Sequence, residues 1–220
     1  MKKKIFFDMI LNIVATSIPT VVLQLLILPS LSNYMDGNAY GLMVTILAVL
    51  NVVPSTIGNV LNNVRLLHEE SYKKDNEQGD FQILLTIFQA INLLIMVTVS
   101  IYYLGTKDIT GILLLIAVGI LWLGREYHIV AFRLKLDYIA ILVNNLCLVA
   151  GYGIGYIFFM KNGYWQIIYL LGYILSYLHI VIASPIVKEP FTKTKRLRIV
   201  FNDSAFLLIS NVLEIGRAHV

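Results

Sequence analysis

Two runs of polar residues interrupt otherwise apolar sequence at a regular spacing. Asp8, Asn12, Thr16, Thr20 and Gln24 recur every four positions, and Asn51, Ser55, Asn59 and Asn63 do the same. On a 3.6-residue helix each run winds slowly around one side, drifting about 40° per step. Hydrocarbon penalises such groups, so they either line an aqueous cavity or hydrogen-bond between helices in a dry bundle. Pro19 lies within the first run, and Pro54 and Gly58 lie beside the second. A proline inside a helix bends it and frees backbone carbonyls nearby.

Charged and aromatic groups extend the set. Arg65 closes the second run, and Arg125, Glu126 and His128 come shortly before position 132, where an apolar stretch ends. Arg125 either snorkels to an interface or meets a ligand. Asn144 and Asn145 sit at the centre of the next stretch, followed by Gly151, Gly153 and Gly155. No strand precedes these glycines, so close helix packing is expected rather than a phosphate loop. In the last complete stretch Tyr169, Tyr173 and Ser176 share a face, with His179 beside it. A lone histidine there is either proton-sensitive or a hydrogen-bonded packing residue. The candidate binding residues are therefore Gln24, Asn51, Asn59, Arg65, Arg125, Glu126 and His179.

The elements that must carry these groups follow from composition. Hydrophobic residues make up 58% of the 220 residues and charged residues 14%, and mean hydropathy is +0.78. Soluble domains carry about 25% charge. Apolar runs at 5–28, 40–64, 81–104, 109–132, 138–160 and 165–186 each reach the roughly 20 residues a bilayer crossing needs. Period-two alternation is absent, which leaves helices. The expectation is an all-α polytopic bundle of six complete helices, with a seventh beginning near Ala205.

Basic residues set the expected orientation. With the N-terminus inside, fourteen Lys and Arg fall in cytoplasmic segments, and only Lys107 and Lys161 fall in the outer connections. That asymmetry alternates correctly through all six crossings. The net charge of +4 is thus a topology signal and not a nucleic-acid surface. The outer connections are short, with Tyr34, Tyr40, Tyr102, Tyr103, Tyr164 and Trp165 near them as an interfacial belt. The long connections, 66–80 and 187–204, are cytoplasmic; the second is strongly basic and reads as a linker attracted to anionic lipid. The first span follows Lys2, Lys3 and Lys4, is too long for a signal segment, and is expected to remain.

The lone Cys147 shows no metal-site spacing. No HExxH, paired CxxC or catalytic Ser/His/Asp pattern emerges, and no cofactor or enzymatic activity is expected. The outer connections are too short to hold an active site on that face. The final six residues, 215–220, can be encoded by a nucleotide string that resembles the opening of a common sequencing-library adapter. The expectation is that residues 205–214 begin a seventh helix whose continuation is cut away, so Arg217 and His219 receive no functional weight.

One resemblance adds to this reading. The stretch Gln24-Leu25-Leu26-Ile27-Leu28-Pro29-Ser30-Leu31-Ser32, then Tyr40-Gly41-Leu42 and Asn59-Val60-Leu61-Asn62-Asn63-Val64-Arg65-Leu66, resembles bacterial polysaccharide-biosynthesis flippases. These are the O-antigen and capsule repeat-unit transporters of the multidrug/oligosaccharidyl-lipid/polysaccharide exporter superfamily. The motif match is confined to the first 66 residues; helix count and topology extend it to residue 213. The resemblance implies an amino-terminal six-helix lobe (1–186) whose partner is a missing carboxy-terminal lobe of the same chain. It further implies a cytoplasmic-membrane location and alternating access around a central cavity. The implied cargo is an undecaprenyl-pyrophosphate-linked oligosaccharide, with Arg65 and Arg125 as the basic groups toward the loading side. No Arg or Lys lies mid-span, a departure from the family pattern. Two alternatives remain: an ion-coupled multidrug exporter of the same fold, and a membrane glycan polymerase or ligase.

Overall fold

The computed structural model describes residues 2–75, 79–183 and 197–217, with side chains described for 10–71, 73–74, 79–183 and 197–210. All regular elements among them are helical, and the chain is an all-α polytopic bundle. α1 (Lys2–Val22) runs through a π-type turn (Leu23–Ile27) into α2 (Leu28–Tyr34). α3 (Gly37–Asp75), α4 (Gly79–Leu104) and α5 (Ile109–His128) follow. A short α6 (Val130–Leu134) extends α5; then come α7 (Tyr138–Asn162), α8 (Gln166–Ala183) and α9 (Leu197–Arg217). Six stretches are long and apolar enough to cross a membrane: Ile10–Tyr34, Gly37–Ser71, Gly79–Leu104, Ile109–Leu134, Tyr138–Asn162 and Gln166–Ala183.

Three boundaries differ from those expected. The first crossing continues past 28, because Pro29 occupies the first turn of α2, where its missing N–H costs nothing. Only Met35 and Asp36 separate α2 from α3, and the Asp36 carboxylate caps α3 by accepting from the N–H groups of Asn38 and Ala39 at 2.9 and 3.0 Å. α3 likewise runs to Asp75 instead of ending at 64. Arg65 pairs with Glu69 at 2.9 Å one turn on, and Lys73 and Lys74 complement the helix C-terminus. Most of the expected charged connection 66–80 is therefore helix.

The third difference concerns the expected linker at 187–204. Its first part, 187–196, lies outside the described residues, but α9 already begins at Leu197. Its first turns are amphipathic rather than uniformly apolar, with Val200 and Ser204 buried against α3 and α4. The Asp203 carboxylate meets His68 Nε2 of α3 at 2.8 Å. A search for long apolar runs passes over such a start. Residues 218–220 lie outside the described residues.

Helix packing sets the frame of the cavity. α7 lies tightly against α8, α1 packs on α7, and α5 packs on α8, α4 and α3. The expected role of the glycine series is visible at the α7–α8 contact. A Cβ on Gly151 would run into the main chain of Leu171 and Gly172, and one on Gly155 into that of Ile167 and Ile168. Gly153 faces open space.

Candidate functional site

Proline in α1 creates the first feature of the site. Pro19 has no N–H, so the Ala15 carbonyl one turn earlier loses its helical donor. Asn145 of α7 supplies a replacement, donating from Nδ2 to Ala15 O at 2.7 Å. The other end of the same amide, Oδ1, accepts from Arg125 Nη2. A broken helical bond in α1 is thus linked through one asparagine to a buried arginine in α5. In a double-variant cycle, Asn145→Leu should cost less in a Pro19→Ala background, by about 1 kcal/mol. Pro19→Ala returns the missing N–H and leaves Ala15 satisfied. Additive losses in detergent melting would sink this link.

Arg125 is the hub of a larger network. It is 6% exposed. Its Nε donates to Ser176 Oγ of α8 at 2.6 Å and its Nη1 to Glu126 Oε1 at 2.7 Å. Nη2 donates to both Asn144 Oδ1, at 3.0 Å, and Asn145 Oδ1. Asn144 also donates to the Ser176 carbonyl at 2.7 Å. Four of five guanidinium N–H groups are therefore engaged inside the protein. Snorkelling is excluded: the side chain is held in the bundle interior.

Around this hub lies a cavity of about 270 Å³. α1 contributes Thr16 and Thr20, and α3 contributes Asn51, Ser55 and Asn59. Both polar runs thus face one space. The remaining wall comes from α5 (Trp122, Arg125, Glu126), α7 (Asn145, Tyr152) and α8 (Tyr169, Tyr173), with Arg133 of α6 toward one end. Because α7 runs antiparallel to α5, Arg133 and Ile141 mark one end. Trp122, Tyr152 and Tyr169 mark the other, about three turns along α5.

Four of the seven candidate residues meet here: Asn51, Asn59, Arg125 and Glu126. Gln24 does not. It sits at the start of the π-type turn, where Leu28 N–H bonds Leu23 O five residues back, two steps of about 40° around the helix from Thr16. Gln24 ends up exposed, outside the cavity wall. Asp8, the first member of that run, has its side chain outside the described residues. Arg65 is 1% exposed at the α3–α4–α5 junction. Its Nη1 donates to Tyr127 Oη at 3.0 Å, and its guanidinium lies 5.6 Å and 5.3 Å from the ring centres of Phe81 and Tyr127. It is therefore placed to join helices and does not face the cavity. His179 lies against Phe132, with its Nδ1 3.4 Å from Asn144 Nδ2, and is not among the residues that line the cavity.

Sequence reasoning missed Arg133 and the aromatic end of the cavity. Arg133 counted there only as a topology charge, although its place eight residues, or about two turns, after Arg125 puts both on a similar face. It makes no ion pair among the described residues. Its charge is thus the uncompensated one on the cavity wall, since Arg125 and Glu126 neutralise each other. Arg125 lies buried in the last third of the span Ile109–Leu134. No family model, curated protein or solved structure matches this chain.

Proposed function

We propose that this chain is the cavity-bearing lobe of a membrane transporter that flips a lipid-linked oligosaccharide, the anionic head group entering at Arg133. The observation that carries the reading is the polar cavity set among membrane-spanning helices, with one uncompensated cation at its end. A structural anchor has no use for such a space, because every polar group in it is disfavoured by hydrocarbon. A phosphate-bearing lipid needs that chemistry: a positive group at the mouth and hydrogen-bonding groups within. The inside-N orientation puts Arg133 on the cytoplasmic side, where such a lipid is made. The second lobe would close the gap between α1 and α3 and supply alternating access.

Glu126 favours a second reading. Its side chain lines the cavity, where a carboxylate suits ion-coupled export of cationic compounds. One variant separates the two. Arg133→Gln should cut surface polysaccharide about tenfold, the worth of one charge-assisted hydrogen bond, with unchanged folded protein in the membrane. Normal polysaccharide together with altered accumulation of cationic dyes would instead favour the exporter.

A further inference from the structure

α5 does not run unbroken into α6. Ile129 N–H still bonds the Arg125 carbonyl at 2.9 Å, but the next turn is tighter, with Phe132 N–H bonding Ile129 O three residues back at 3.1 Å. Arg133 N–H reaches that same oxygen only at 3.4 Å. Among the described residues no backbone N–H bonds the Glu126 carbonyl, whose ordinary helical donor would be Val130. A three-residue turn advances about 120° per residue and an α-helix about 100°. From Ile129 to Phe132 the difference adds about 60°, so the break sets the direction in which α6 presents Arg133.

Asn62 of α3 takes the freed carbonyl, donating from Nδ2 to Glu126 O at 2.7 Å. Gly58, one turn earlier on α3, permits the reach: a Cβ there would stand 2.5 Å from Glu126 Cβ. Asn62 is fully buried, and its Oδ1 has no hydrogen-bond partner among the described residues. A leucine would be buried without that cost, so the amide is there for the one bond it donates. Asn92 of α4 is the comparison. It too is fully buried, donates to an α5 carbonyl (Gly119 O, 3.0 Å) and leaves Oδ1 without a partner. The helix is unbroken at that point. The two asparagines share their chemistry and differ in whether a helix joint depends on them.

We infer that Asn62 is a positioning residue: by bonding the Glu126 carbonyl it holds the α5–α6 joint broken and keeps Arg133 on the cavity wall. Without it the buried carbonyl recovers a donor at least cost from Val130 N–H, one turn on. The helix then closes, and α6 turns Arg133 away from the cavity. What the cation does for a cargo rests on the transport reading; its placement by Asn62 does not.

The test reads the electrostatic potential of the cavity in lipid nanodiscs. Cys147→Ala removes the one native thiol, and Asn59→Cys places a reporter on the exposed cavity face of α3, at the level of Glu126. The probes are an anionic (sulfonatoethyl) and a cationic (trimethylammonioethyl) methanethiosulfonate, and the readout is the ratio of their labelling rates. Arg133→Gln should lower the anion preference about fourfold, the effect of one charge roughly 10 Å away acting in opposite senses on the two reagents. Asn62→Leu, with Arg133 intact, should lower it equally. Asn62→Val, smaller and just as unable to donate, serves the same purpose if leucine does not fit. Asn92→Leu should leave the ratio unchanged, although it too loses a buried hydrogen bond. Three outcomes would overturn the positioning role: an unchanged ratio in Arg133→Gln, an unchanged ratio in the Asn62 variants, or an equal fall in Asn92→Leu. Normal surface polysaccharide in Arg133→Gln alongside the expected ratios would sink the transport reading alone. A polysaccharide defect in Arg133→Gln, with an unchanged ratio in the Asn62 variants, would sink the positioning role alone.

Discussion

Arg125→Ala is expected to lose about 3–5 kcal/mol of stability, the cost of breaking a buried pair by removing one member. The loss should appear as a sharp fall in folded protein recovered in mild detergent. Truncation strips partners from three helices at once: Ser176 on α8, Asn144 and Asn145 on α7, and Glu126 beside it on α5. Glu126 is left as a largely buried carboxylate without its cation. The membrane-embedded unfolded state finds substitute partners for some of these groups, which holds the loss toward the lower figure. Arg125→Lys should recover only part of it, because an ammonium cannot fork to Asn144 and Asn145 while also reaching Ser176. The double variant Arg125→Met with Glu126→Gln should be more stable than Arg125→Met alone, since no charge is stranded. Wild-type melting of Arg125→Ala would remove the hub from the account. A polysaccharide defect in Arg125→Ala therefore reports folding first and transport second, which is why Arg133, not Arg125, is the residue for the transport test.

The sequence is a good guide to groups whose role depends on one helix. Runs of apolar residues predict all six crossings. Spacing by four predicts that Thr16, Thr20, Asn51, Ser55 and Asn59 share faces, and they do face one cavity. It is a poor guide to whatever depends on which helices are neighbours. Arg65 and Arg125 look alike in sequence, each near the end of an apolar run. Only the packing of α3 against α4 and α5 turns Arg65 toward Phe81 and Tyr127, while Arg125 turns toward α7 and α8. Gln24 fails for a local reason: a run spaced by four drifts about 40° per step, so by Gln24 it has turned about 80° from Thr16, and it leaves the cavity wall where the π-type turn Leu23–Ile27 opens. The aromatic end is illegible for a further reason. Trp122, Tyr152 and Tyr169 come from three helices, and each alone reads as ordinary apolar filling.

Two of those helices, α7 and α8, pack tightly on one another, and disturbing that contact should have the second large effect. Gly151→Ala adds a single methyl group where the main chain of Leu171 and Gly172 stands in the way. Main chain cannot rotate aside as a side chain can, so α7 and α8 must separate. The expected loss is about 3 kcal/mol, the upper part of the range for overpacking. It arises despite a helix-propensity gain of about 1 kcal/mol for replacing glycine by alanine. Gly153→Ala is the matched control. Its methyl group meets nothing, so only the propensity gain remains and melting should rise slightly. Separation has a functional consequence because α8 carries Tyr169, Tyr173 and Ser176 on the face it turns to α5 and α7. Moving α8 outward lengthens the Ser176–Arg125 bond and withdraws both tyrosines from the cavity wall. Gly151→Ala should therefore change Trp122 emission, by opening its stack on Tyr173, even under conditions where it remains folded, and Gly153→Ala should leave that emission unchanged. Equal melting of the two variants would mean that the α7–α8 contact yields without cost. The tight helix pair would then not be what holds the aromatic end in place.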